Sequence, residues 1–321
     1  MKKLLLLSVL FASILCSRSY AQIVQKESEV EDKSYLEAGI DFNSNNNVYG
    51  IFENFNSQAN TSVFLSYFGE KGLMLSVNGM WLKNSNNSAS SNNSTEVDLT
   101  GGWNFEMLNK RITITPSYSH FLYSAAASSA KTLFTDQAGV EFSGSFKWFT
   151  PSFTADYLFG KNSAHNFNLT LGFEVDFDDV ITNGSLLQLL PSLGANYGDL
   201  SYSIFFTNKL FQFLSPLRTK YGDNITISQL QTNGALPKAK GLNNQLSYLN
   251  PSATLGQIFE TTNSSRINSF DLTLPLVYSK KNLSLSTSLN IVLPRNVPAY
   301  IQSKTVLFFS AGVTYSFELQ K

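Results

Sequence analysis

From Phe308 onward, Phe309, Ala311, Val313, Tyr315, Phe317 and Leu319 fall on one side of an extended chain, and Ser310, Gly312, Thr314, Ser316 and Glu318 fall on the other. Phe167, Leu169, Leu171, Phe173, Val175 and Phe177 alternate in the same way with Asn168, Thr170, Gly172, Glu174 and Asp176. So do Leu283, Leu285, Leu289, Ile291 and Leu293 with Ser284, Ser286, Ser288 and Asn290. A period of two is the signature of a strand. An apolar face backed by a polar one suits a sheet that separates lipid from a watery lumen. Such a sheet has to close on itself, because hydrocarbon offers an unpaired backbone edge no partner. The pattern recurs near 35–43, 61–68, 73–82, 96–107, 111–123, 135–147, 151–159, 166–177, 188–206, 267–278, 283–293 and 306–319. It predicts an all-β chain, a twelve-stranded antiparallel transmembrane β-barrel of the outer-membrane type over residues 35–321.

The stretch 188–206 changes parity, with Leu193, Ala195 and Tyr197 odd but Leu200, Tyr202, Ile204 and Phe206 even. Gly198 and Asp199 can form either a hairpin or a bulge that flips parity without reversing the chain. A hairpin would add a thirteenth strand, and single-chain bacterial barrels have an even number, so the bulge is preferred. The connections then sort by side. Gly69 to Gly72, Leu108 to Lys110, Trp148 to Thr150, Asp178 to Leu187 and Ser279 to Asn282 become periplasmic turns, mostly short. Longer outside loops include Ser44 to Asn60, Lys83 to Thr95 and, longest, Thr207 to Arg266. Residues 22–34 are charged and aperiodic and read as a mobile periplasmic tail.

Ahead of that tail, Lys2 and Lys3, the apolar run Leu4 to Leu15 and the small residues around Ser19 and Ala21 form a secretory leader over residues 1–21. It implies Sec-type export, cleavage near Ala21 and delivery to the bacterial outer membrane. Cys16, the only cysteine, lies within the leader. Leu15 is too large for the position before an acylated cysteine, so lipidation is not favoured and the mature chain has no thiol chemistry. Lys plus Arg and Asp plus Glu both number 23, and this balance gives no hint of nucleic acid. The 26 Phe and 14 Tyr suit aromatic girdles at two membrane interfaces.

The pieces Gly39 to Ile51 (GIDFNSNNNVYGI), Leu65 to Trp81 (LSYFGEKGLMLSVNGMW), Pro151 to Gly160 (PSFTADYLFG), Pro191 to Gly198 (PSLGANYG) and Phe270 to Pro294 carry a resemblance that spans nearly the whole mature chain. The chain resembles the TorF-type porins and related small bacterial outer-membrane β-barrel proteins. It departs from their pattern at Tyr49, which Gly50 follows directly where an aromatic-Arg-Gly is common, and at Glu318 to Lys321, which run past the final aromatic. The resemblance implies the fold, the location, and an assembly signal at Gly312, Tyr315 and Phe317 that barrel-assembly machinery would read during biogenesis. Outer-membrane lipid is the other implied partner.

Parity sends Glu37, Asp41, Glu96, Asp98, Glu106, Glu141, Asp156, Glu174, Asp176, Asp271 and Glu318 into the lumen, with Lys147 the one base placed there. Asp41, Glu141, Asp156 and Asp271 fall near mid-strand and form a candidate constriction, with Glu174 and Asp176 as further lining. Carboxylate rings concentrate cations. The same groups can instead simply pair with bases and amides to set packing. The loop 207–266 brings Lys209, Arg218 and Lys220, and either folds inward to meet the acidic wall or stands outside as a cap or surface epitope. Catalysis finds little support. Of the two histidines, His120 shares parity with Tyr118 and Leu122 and faces outward, while Ser119 points the other way; His165 has no metal-ligand set beside it. The expectation is a passive channel for small polar or cationic solutes, not an enzyme, with no cofactor or metal. The alternative is a closed barrel serving as receptor, adhesin or structural protein, favoured if Phe64, Phe121, Phe205 and Phe308 fill the lumen.

Overall fold

The computed structural model describes residues 33–44, 47–48, 51–52, 59–82, 94–124, 134–161, 163–199, 208–236, 246, 249–259, 266–297 and 305–319. Twelve staves run up and down in chain order: β1 (Tyr35–Asn43), β2 (Asn60–Phe68), β3 (Leu73–Leu82), β4 (Ser94–Trp103, continued by Phe105–Met107), β5 (Ile112–Tyr123) and β6 (Phe134–Gly144). They continue as β7 (Phe149–Gly160), β8 (Ala164–Phe173, continued by Val175–Asp178), β9 (Ser185–Leu189 and Ser192–Gly198), β10 (Arg266–Lys280), β11 (Leu283–Pro294) and β12 (Val306–Glu318). Each pairs antiparallel with its neighbours, and β12 returns to β1 from Tyr35 opposite Glu318 to Asn43 opposite Ser310, so the barrel is closed. Closure leaves no sheet edge, as hydrocarbon requires. Among the described residues no helix is long and apolar enough to cross a membrane.

The alternation sorts the surfaces as its chemistry demands. Ile40, Leu65, Val77, Leu169, Leu193, Phe309 and Val313 stand exposed on the outer wall, Leu169 at 60%. Glu37, Ser66, Glu96, Asp98, Thr100, Asn196 and Asp271 are buried on the inner one. Such an exterior is costly in water and stable in hydrocarbon. Toward the end where Tyr35 pairs with Glu318, Trp103, Phe105 and Trp148 remain exposed, and Trp148 stacks on Phe173 at 6.0 Å.

Several details differ from the sequence reading. Both edges of Ser192–Gly198 are occupied, by β8 and β10, which leaves no edge for a hairpin partner. The register shift here lies on β10, where Asn268 is the extra residue; Leu200 to Phe206 lie outside the described residues. A second shift, between Phe159 and Gly160, leaves Thr135 unmatched on β6 and turns Phe134 inward, against its parity with Val140 and Phe142. The turn expected over 178–187 is tighter, since Ser185–Leu189 already pairs with Val175–Asp178. Residues 1–21, expected to be a leader, and residues 22–32 lie outside the described residues. The last residue expected in the mobile tail, Ser34, is held: its Oγ accepts from Tyr67 Oη at 3.3 Å and from the Glu70 amide at 3.2 Å.

Within the loop 207–266 the chain forms helices α1 (Asn208–Tyr221), α2 (Ile227–Thr232) and α3 (Leu255–Phe259). Leu210, Leu214 and Leu217 recur at helical spacing on α1, the first two fully buried. Thr226 and Gln229 form a capping box at the start of α2, with bonds of 3.2 and 2.9 Å, and Thr254 and Gln257 repeat it at α3, at 3.3 and 3.0 Å. A bridge between Thr226 and Thr254 joins the two starts.

Candidate functional site

The inner wall is built by strands whose even or odd positions turn inward together, and its acidic groups divide into separate places. Asp41 on β1 lies over Gly312 of β12, and a Cβ at Gly312 would also meet Ser286 Oγ at 2.8 Å. Asp156 on β7 lies similarly over Gly139 of β6 and accepts from Gln137 Nε2 at 2.8 Å. Glu141 is diagonal to Asp156 on β6, paired across with Thr154. Asp271 on β10 accepts from Ser269 Oγ at 2.8 Å and from Asn196 Nδ2. Glu174 and Asp176 are nearer the short turns, where Gln188 Nε2 donates to both at 3.0 Å.

The four mid-strand residues stand on two facing walls. Glu141, Asp156 and Asp271 share the β6 to β10 wall, whereas Asp41 is on β1, six staves from Asp156 and on the opposite side. Among the described residues no Lys or Arg ion pair reaches Asp41, Glu141 or Asp271. Lys147, expected in the lumen, sits exposed in the turn before β7 with φ of 39°. The register also brings in amides that sequence reasoning passed over. Asn168 Nδ2 donates to Asn196 Oδ1 at 2.8 Å, Thr170 Oγ1 donates to Asn168 Oδ1 at 2.7 Å, and Asn196 Nδ2 donates to Ser269 Oγ at 3.0 Å. The parity that located the acids would have located these too.

The glycine beneath Asp41 gives Gly312 a packing role besides the assembly signal the sequence suggests. Gly312→Ala places a methyl where Asp41 Oδ1 and Ser286 Oγ now lie. The expected cost is roughly 1 kcal/mol, the low end for an overpacked site, because the two oxygens are side-chain ends that can swing aside. It should appear as a lower urea midpoint for barrels refolded into detergent with no assembly machinery present. An unchanged midpoint would leave the signal as the residue's only role. Tyr315 and Phe317 face outward with ring centroids 4.6 Å apart, both exposed on the lipid-facing side.

At the end opposite the Tyr35–Glu318 pair, the helices close onto the barrel through apolar contacts. Leu210, Leu214, Ile227, Leu230, Leu249, Leu255 and Ile258 form one buried cluster with Phe134, Leu158 and Ala164 of the rim. Leu158 shares inward parity with Asp156, and Ala164 is its cross-strand partner. The insertion thus seats on the inner lip of the mouth. Two of the basic residues expected to meet the acidic wall are engaged within the insertion itself. Arg218 Nη2 bonds Asp223 at 3.0 Å and its guanidinium lies 4.9 Å from the Phe259 ring centre, while Lys220 Nζ lies 5.0 Å from that of Tyr221. The hydrogen bond from Arg218 holds the Asp223 carboxyl below its ordinary range. The contact is present above that range and is lost as pH falls through the lowered value. Lys209 lies in α1, and its side chain is outside the described residues.

Both histidines face outward near the same rim, and each has a carboxylate that sequence spacing did not reveal. His120 Nδ1 is 2.8 Å from Asp136, which also accepts from Tyr118 and Thr135; His165 Nδ1 is 3.1 Å from Asp199. Ser119 turns inward and bonds Thr100 at 2.8 Å, so the hydroxyl next in sequence does not serve His120. Among the described residues no group of three or more His, Cys, Asp or Glu could hold a metal ion.

No family model and no curated protein matches the chain. Solved structures with a similar path include the KdgM porin, at 10% identity over 88% of this chain and 99% of that one, with a TM-score of 0.42. An outer membrane channel from Pseudomonas putida F1 matches at 8% identity over 89% and 96%, with a TM-score of 0.48. LpxR from Salmonella typhimurium matches at 11% identity over 88% and 99%, with a TM-score of 0.42. At these values no residue role and no activity passes from those proteins to this one.

Proposed function

We propose that the chain is an outer-membrane channel that passes small polar or cationic solutes passively, its outer mouth narrowed by the helical insertion. The observation that carries this reading is the contrast between walls. The outside is apolar over the height of the staves, while the inside presents Asp41, Glu141, Asp156 and Asp271, with no Lys or Arg among the described mid-strand positions facing them. A wall of one sign raises the local concentration of the opposite ion and sets selectivity. The resemblance to TorF-type porins points the same way, as does the leader, which implies export and a lipid environment reached with the help of assembly machinery.

Single-channel recording across a salt gradient tests this. The intact barrel should give discrete current steps with a reversal potential on the cation-selective side. Asp41→Asn and Asp156→Asn, which act on opposite walls, should each move that potential toward zero, and the double substitution should move it further, the two being far enough apart to add. Folded barrels that give no current at all would rule out the channel and leave a receptor or structural role. That outcome has its own physical basis, since Phe121 and Phe308 are buried on the inner side, Phe64 points inward, and the insertion covers the rim.

A further inference from the structure

We infer that the inner wall from β8 to β11, beneath the helical insertion, is a binding subsite for a neutral, hydroxyl-rich solute of the saccharide class. The inference rests on the channel reading above and narrows it, because it names the chemistry that the passage would select.

The wall is an ordered polar array. Asn196 is its anchor: its Oδ1 accepts from Asn168, and its Nδ2 donates to Ser269 and to Asp271. Asp271 is fixed again by Ser269 at 2.8 Å, and Asn168 by Thr170 at 2.7 Å. Side chains locked by one another in this way present their remaining donors and lone pairs in set directions.

Around this array are amides with no bonding partner among the described residues. Asn166, at 1% exposure, has neither Nδ2 nor Oδ1 paired among the described residues; Asn268, at 0%, likewise has both atoms unpaired; and Asn290, at 0%, has its Nδ2 unpaired. Asn166 is two residues above Asn168 on the same face of β8. Asn268 is the bulged residue beside Ser269, and Asn290 is paired across with Thr273, two residues below Asp271. The span from β8 to β11 is three strand spacings, roughly 14 Å. Buried polar groups without a protein partner are rare, and each is a place where a group from solution can bond.

The chemistry of the open valences chooses the partner. Asn290 offers an unmet N–H donor, and Asn166 and Asn268 each offer both donors and an acceptor. A metal cation supplies no acceptor, and an ammonium group supplies donors only. A hydroxyl is donor and acceptor at once, and several on one framework can satisfy amides and carboxylates together. The Phe308 ring, cross-strand partner of Asn290, bounds the array on its apolar side, packed with Val292 and Val306.

Titration calorimetry of maltotriose into the folded, detergent-solubilised barrel tests the site whether or not the barrel conducts. Binding is expected at millimolar or tighter concentration, weakened about tenfold by Asn290→Leu and by Asn166→Ala. Heat-modifiable gel mobility shows that each variant is folded, and the two substitutions lie on different strands, so a folding failure in one leaves the other. In bilayers, maltotriose should interrupt the ion current while polyethylene glycol of equal size interrupts it less. No binding heat from maltotriose, equal interruption by the two probes, or tighter binding of spermidine than of maltotriose would each overturn the inference. Ion steps that persist without sugar binding would leave the channel standing and remove only the subsite.

Discussion

Replacing Asn208 to Phe259 with a short Gly-Ser linker should raise single-channel conductance roughly twofold or more, because an apolar constriction at the mouth is removed. The insertion is a folded body and not a loose loop. Seven of its side chains, including Leu210, Leu214, Leu230 and Ile258, are at or below 1% exposure. Each contributes roughly 1.5–3 kcal/mol relative to an exposed position. Paired capping boxes close the starts of α2 and α3 around the Thr226 to Thr254 bridge. Because the body grips the rim through Leu158, Ala164 and Phe134, a milder variant reaches the same end. Leu158→Ala should loosen the grip by roughly 2–5 kcal/mol and yield intermittent large steps where the intact barrel gives steady small ones. Limited proteolysis should cut that variant sooner between Asn208 and Phe259. An unchanged conductance on full removal would mean that the insertion covers the rim without narrowing the passage.

The staves were legible because a period of two survives any packing detail: when one face meets lipid and the other a lumen, every residue declares its side. Twelve strands and the direction of Asp41, Asp156 and Asp271 follow from that alone. Where the period breaks, the reading fails for an identifiable reason. Thr135 and Asn268 are unmatched residues whose bulges reverse the side of what comes next, and a bulge depends on the partner strand's length, which one strand cannot reveal. Phe134, read from the sequence as the last residue of an outside loop, is instead the first residue of β6 and is found in the seat of the insertion. The helices were hidden differently. The run Leu210 to Leu217 was visible as apolar, and the Thr226 to Gln229 spacing is a helix-start signature, but a loop between strands sets no expectation of helix. The division of the acids into two walls follows from the same count, because the first and seventh staves of a twelve-stave up-and-down barrel stand opposite each other.

Leu169→Arg should cost roughly 2–4 kcal/mol of folding free energy in lipid, the largest loss expected of any single substitution on the barrel surface. Leu169 is the sixth residue of the ten in Ala164–Phe173 and stands 60% exposed on the outer wall, where its neighbours in the register are Phe153 and Ala195. At that depth a guanidinium has neither water nor a counter-charge within reach, and its stem has to bend toward an interface to find either. Thr170, one residue on, faces inward and bonds Asn168. Thr170→Arg therefore adds the same charge to a polar wall that carries Asp271 two staves away, and it should cost less than half as much. Refolding both variants into lipid vesicles and titrating with urea gives the two midpoints. If the ratio is reversed, or the two losses are equal, the assignment of lipid and lumen faces is wrong, and with it the placement of every acidic residue on the inner wall. Repeating the comparison in detergent micelles sharpens the test, because the Leu169→Arg penalty should shrink where the apolar layer deforms around the charge, while the Thr170→Arg loss should stay as it was.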